Sequence, residues 1–510
     1  MRLNKPVLFM ALAAWPANAQ DEPLSAIDWL NSETAVTVAQ PRAATPGEPP
    51  VSDGVDVPDV DVMPLDTAIP DAVGLLPQST TGLPPSLWQE SRASRIMTRL
   101  KRLPDRPLPA TQALYYTLVL AEAEPPADIG EGAPVLKARI EALRRYGAVA
   151  PARALLERAG PVRREVFDQW LDLALLDGAE DAPCRALVQD PRLSADYAAR
   201  IFCMARSGDW NTAALTFETA EALDLLPPVQ AALLAQFLDP EVMDGAPSLA
   251  PPGDMTPLTF RLFEAVGRPM PTRNLPRAFA MADLRGTSGW KAELEAAERL
   301  ARTGALPANR LLGLYTDRKP AASGGVWDRV EAVQAFDRAL TREAPEDIAR
   351  TLPPVWSQMR AQGLAVVFAE MFGDALSKIE LTGTSRQQAL QVALLSPAYE
   401  TAAQSIDAQS PLAFHAGLAQ GTPSVDQAKT PEQQAIAKAF SSTAPAPRDA
   451  PLLEAGKLGE AILAAATRLD RAGPADTDDL TAALSTLRAV GLEDTARRAA
   501  LQRLLLDGEP

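Results

Sequence analysis

From Ser91 onward, apolar residues recur at i, i+3, i+4 and i+7 in segment after segment, and that period commits the chain to helices. Leu480, Ala483, Leu484 and Leu487 make one such stripe. Pro474 and the acids Asp476, Asp478 and Asp479 open that helix, where negative charge suits an N-terminus, and Gly491 closes it. No run alternates with period two for long enough to require a strand. Alanine supplies about 90 of the 510 residues; it is the best helix former and is small enough to let helices approach closely. Aromatic residues are only 5 %, which argues against a β-sandwich or barrel. The expected fold class is all-α.

The helices come in pairs. Gly147, Gly178 and Gly208 stand about 30 residues apart, each between two amphipathic stretches. After Gly208 the order is Trp210, Ala213, Phe217, Ala220; after Gly147 it is Val149, Ala152, Leu156, Ala159. Gly456, Leu458, Ala461 and Ala465 echo the pattern more weakly. Glycine permits the tight interhelical turn, the apolar residue two places on is expected to cover it, and alanine lets a neighbouring helix come close. This spacing resembles the second helix of a tetratricopeptide (TPR) repeat. The resemblance is good over 208–220 and fair over 147–159, and it covers about a third of the chain. It implies a TPR-like α-solenoid of antiparallel helix pairs with a concave binding face. Ordinary helix and loop lengths then suggest about 20 helices.

The opening MRLNKPVLFMALAAWPANAQ has a positive start at Arg2 and Lys5, then an apolar stretch of about ten residues, too short to span a bilayer. Ala17 and Ala19 are the small residues a signal peptidase accepts. Residues 1–19 are therefore expected to be a secretory signal peptide cut between Ala19 and Gln20. No later window of 18 apolar residues suggests a transmembrane helix, so the expected location is periplasmic or secreted. Residues 20–91 hold twelve acids and one basic residue, Arg42, and positions 41–90 hold ten prolines. Such a stretch neither continues a helix nor buries much, and it is expected as a disordered acidic linker. Within it, Leu83–Trp88 and the segment around Trp29 are apolar enough to dock on the body or on a partner. Residues 92–441 form the expected helical-repeat body. A Pro-rich linker at 442–451 and a C-terminal helical cap at 452–510 follow. Phrases such as DEPLSAIDWL and VPDVDVMPLD are also similar to a family of uncharacterised exported bacterial proteins carrying an antifreeze-glycopeptide label. That activity needs long Thr-Ala-Ala arrays bearing sugars, and this chain has only scattered threonines.

Cys184 and Cys203 are the two cysteines. An even pair in an exported chain points to a disulfide, which would close a loop of about 20 residues and contribute roughly 3 kcal/mol. Catalytic signals are sparse. The one histidine, His415, lies on an expected helix and reads as a core or surface residue. There is no G-x-S-x-G elbow, P-loop, H-E-x-x-H or calcium loop. Soluble lytic transglycosylases also carry large α-superhelices, but their Glu-Ser motif is matched here only by Glu90-Ser91, without its companions. No catalytic residue, cofactor or metal is assigned. A net charge of -16 disfavours nucleic acid. The expected function is a non-enzymatic binding or scaffold protein of the cell envelope with a protein or peptide partner. A glycan-cleaving enzyme using an unrecognised carboxylate is the alternative. N-terminal sequencing of exported protein should begin at Gln20; an intact Met1 would remove the signal peptide from this account.

Overall fold

The computed structural model describes residues 69–239 and 249–506. The expected signal peptide with Ala19 and Gln20, and the expected linker up to position 68, lie outside the described residues. The chain is all-α: 25 α-helices and several short 3-10 turns occur among the described residues. The only strand-like pairing among them is an isolated bridge between Leu76 and Ala121. No described helix is long and apolar enough to cross a membrane.

Neighbours in sequence are neighbours in space through much of the chain. Pro134–Tyr146 packs on Val149–Ala159, which packs on Phe167–Asp177; Asp181–Gln189 packs on Tyr197–Arg206, and that helix on Trp210–Ala222. Ala152, Ala213 and Ala220 have no exposed surface, as close helix approach requires. Gly208 sits at φ 87°, the left-handed region, and a side chain there would meet nothing within 4 Å; its role is purely conformational. Trp210 departs from expectation. It does not seal the turn but is 48 % exposed and leans on Phe237, with ring centroids 5.7 Å apart. Phe217 is half-buried. A disulfide joins Cys184 to Cys203 across a Cα separation of 4.7 Å, linking the helices Asp181–Gln189 and Tyr197–Arg206.

Two expected boundaries are corrected. Residues 69–91, expected as the end of a disordered linker, are packed: Leu76, Leu83, Leu87 and Trp88 are buried. Trp88 lies over Gly459, where a Cβ would come within 2.2 Å of its ring. Buried Arg139 holds the segment further, donating to the carbonyls of Val73, Asp71, Val119 and Ala121, while Asp71 accepts from Leu136 N–H at 2.7 Å. Composition alone made this stretch look like linker, but its few apolar side chains find a preformed surface. Residues 442–449 stay non-helical and mostly exposed, but buried Ala446 and Asp449 pin the segment to the helices around it. Ala446 N–H donates to Thr486 Oγ1 at 3.1 Å, and the preceding helix Pro431–Phe440 packs on Thr477–Ala489. The cap is continuous with the body.

An early helix meets the last one. Pro109–Leu120 packs on both Glu493–Leu505 and Leu458–Arg471. Its N-terminus has no cap of its own, since Leu108 stands at that position. Asp470 supplies one, accepting from Leu108 N–H at 3.0 Å, Thr111 Oγ1 at 2.5 Å and Tyr115 OH at 2.6 Å. Gln502 Oε1 accepts from Ala110 N–H at 2.8 Å. Asp470→Ala removes one acceptor from three buried donors and should cost about 2–4 kcal/mol of stability. Asp470→Asn keeps an oxygen for Leu108 and Thr111 and should cost clearly less. Denaturant melts of both variants would check this, and equal stabilities would refute the capping role.

Candidate functional site

A cavity of about 1910 Å³ opens between the helices Pro134–Tyr146, Trp290–Ala301 and Val326–Thr341 and the loops at 105–109, 271–278 and 318–321. Twelve lysines and arginines line it against six carboxylates, in a chain whose net charge is -16. The cations are gathered from distant positions. Arg144 and Arg145 end the helix Pro134–Tyr146, where positive charge suits the C-terminal dipole. Arg145 is held there by the carbonyls of Lys101 at 2.7 Å and Leu103 at 3.0 Å.

Gly147, at φ 85°, ends that helix and has a second role. A Cβ there would stand 2.6 Å from Leu300 Cδ2 and 3.1 Å from Arg277 Cγ, so only glycine lets Arg277 lie where it does. Arg277 donates to the carbonyls of Arg145 at 3.2 Å and Asp105 at 3.3 Å. Arg299, in the last turn of Trp290–Ala301, donates to the carbonyls of Thr272 at 2.9 Å and of Leu275. Arg302, just past that helix, donates to Gln362 Oε1 at 3.1 Å. Neither Arg277 nor Arg299 has an ion-pair partner among the described residues. Burial lowers the pKa of all three arginines. Repulsion adds to it, from Arg277 and Arg302 on Arg299 and from Arg329 and Arg106 on Arg302, against the pull of Asp105 on Arg277, Asp283 on Arg299 and Glu298 on Arg302.

The buried wall carboxylates are engaged. Glu298 accepts from Arg329 at 2.6 and 2.8 Å and from Tyr315 OH at 2.8 Å. Asp470 is the helix cap already described, and burial pushes its carboxyl up to about 6. Trp290 and Trp327 also line the cavity, ring centroids 5.1 Å apart, with Trp290 Nε1 donating to Leu314 O at 3.2 Å. Gly324 and Gly325 enter Val326–Thr341 at the edge of this wall, and Gly324 N–H donates to Asp328 Oδ1 at 2.7 Å.

Elsewhere, a smaller cavity of about 430 Å³ contains Asp168, Asp172 and Asp196. Burial, then repulsion from Asp168 and Asp196, raises the Asp172 carboxyl to about 7 against the pull of Arg144. His415 is buried, and desolvation pushes it down to about 4. No group of metal-ligating side chains occurs among the described residues.

Of the residues singled out from sequence, Gly147 comes nearest the large cavity: it does not line it, but it packs against Arg277, which does. Ala152, Gly208, Trp210, Ala213, Phe217, Ala220 and the disulfide do not line it. Its arginines were invisible as a group in sequence, because they are scattered from Arg106 to Arg503 without a motif. Comparison with protein-family models, curated proteins and solved structures finds no match for this chain.

Because the folded-state pKa of Asp172 lies above its unfolded value of about 3.9, the folded protein holds the proton longer. Stability from this group is full below about pH 4 and is lost as pH rises toward 7. Asp172→Asn should therefore stabilise at pH 8, by about 1–2 kcal/mol, and have little effect at pH 4. Melts at the two pH values would check this; equal shifts at both would refute it.

Proposed function

We propose that this is an exported, non-enzymatic binding or scaffold protein of the cell envelope. Its helix pairs form a TPR-like α-solenoid, and its binding surface is the cation-lined cavity. One observation carries the reading: an acidic protein gathers twelve cations around one large cavity, and Arg106, Arg273, Arg277, Arg299 and Lys319 among them have no ion-pair partner among the described residues. Bringing like charges together costs Coulomb energy that a binding function would explain. The partner is an anionic protein or peptide segment, matching the expectation of a protein partner in the envelope. The wall carboxylates Glu298 and Asp470 are spent on structural bonds, which favours binding over glycan cleavage.

The full mature protein, used as bait on envelope extracts, should retain a protein partner. The double charge reversal Arg273→Glu and Lys319→Glu, at two exposed positions of the cavity rim, should release it without changing the melting temperature. Capture that ignores the reversal would move the binding surface elsewhere. Release of soluble fragments from purified cell-wall glycan would replace binding with catalysis.

A further inference from the structure

We propose that Arg277, Arg299 and Arg302 form a phosphate-binding subsite inside this cavity, which takes the phosphoryl end of a larger ligand. The proposal rests on the binding reading above and narrows it. Arg277 and Arg299 are aimed by backbone carbonyls, through bonds of 2.9 to 3.3 Å and a further contact from Arg299 to Leu275 O. Carbonyls orient a guanidinium without cancelling its charge. Arg302 has only a distant share of Glu298, at 3.8 Å, and Arg329 already occupies that carboxylate. The three side chains thus line one cavity with no close carboxylate of their own, offset only by the more distant Asp105, Asp283 and Glu298, and are held in place before any ligand arrives.

The chemistry of the fork selects the ligand. All three are arginine, whose planar guanidinium suits multi-oxygen anions better than the point charge of lysine. A carboxylate brings one charge and two oxygens. A phosphate monoester brings about -1.5 to -2 and three acceptor oxygens, the closer match to three forks. A cavity of about 1910 Å³ holds far more than a phosphate ion, so the phosphoryl group is one end of the occupant.

The test is calorimetry on the full mature protein at fixed ionic strength, with pyrophosphate, acetate and hexaglutamate as probes. Pyrophosphate should bind at least tenfold more tightly than acetate, and Arg302→Ala, at an exposed position, should weaken it by roughly tenfold. Arg299→Lys keeps the charge but loses the fork, and should weaken pyrophosphate several-fold. Sedimentation with phosphatidylcholine vesicles, with and without phosphatidic acid, identifies the source. Retention only on phosphatidic acid, lost in Arg302→Ala, assigns a lipid headgroup; pyrophosphate binding without retention assigns a soluble phosphate ester. Pyrophosphate no tighter than acetate, or unaffected by Arg302→Ala in a normally melting protein, overturns the subsite. Hexaglutamate binding in that case leaves the anionic-partner reading standing. Pyrophosphate binding with no envelope protein captured keeps the subsite and removes the protein partner.

Discussion

The structure depends on a loan between two stretches remote in sequence, around Leu108 and around Asp470. Helix Pro109–Leu120 begins at Leu108, which cannot cap it, so its first donors bond to Asp470 and Gln502, more than 360 residues away. Burying that carboxylate is unfavourable by itself, and the raised pKa of Asp470 records the cost. Three hydrogen bonds offset it. The contact also sets the geometry of the cavity, because the loop at 105–109 leads straight into the borrowed cap and forms one wall.

Arginine closes much of the remainder. The last turn of a helix leaves carbonyls unpaired, and alanine-rich helices have few long side chains to meet them. Arginines from other helices do so. Arg145 reaches the carbonyls of Lys101 and Leu103, and Arg471 that of Arg102. Arg488 reaches Ala439 O at 2.9 Å, and Arg503 reaches Ala472 O at 2.7 Å. The same device, repeated where loops converge on the cavity, yields Arg277 and Arg299. Structural fastening and surplus positive charge are one phenomenon at this site.

This explains which parts were legible beforehand. Helical period is local, so the all-α class and the buried alanines at 152, 213 and 220 could be read from the residues. Trp210 could not, since whether a turn is covered depends on where Phe237 arrives. Residues 69–91 looked like linker because their composition is poor; their packing depends on the groove around Gly459 and on Arg139, both remote in sequence. The apolar run Leu83–Trp88 was the one local hint. The cation-lined cavity had no local signature at all. Its arginines come from segments separated by tens of residues, and only Gly147, noticed for its turn, marks the place where Arg277 packs.

The protein has one histidine, and burial holds it neutral down to about pH 4. Ten of the cavity's twelve cations are arginines, the residue type that stays charged across the ordinary pH range. The cavity is therefore nearly blind to acidity and open to screening. The Debye length shrinks from about 30 Å at 0.01 M salt to about 8 Å at 0.15 M, so the attraction this wall exerts on a distant anion is set by the ionic strength outside it.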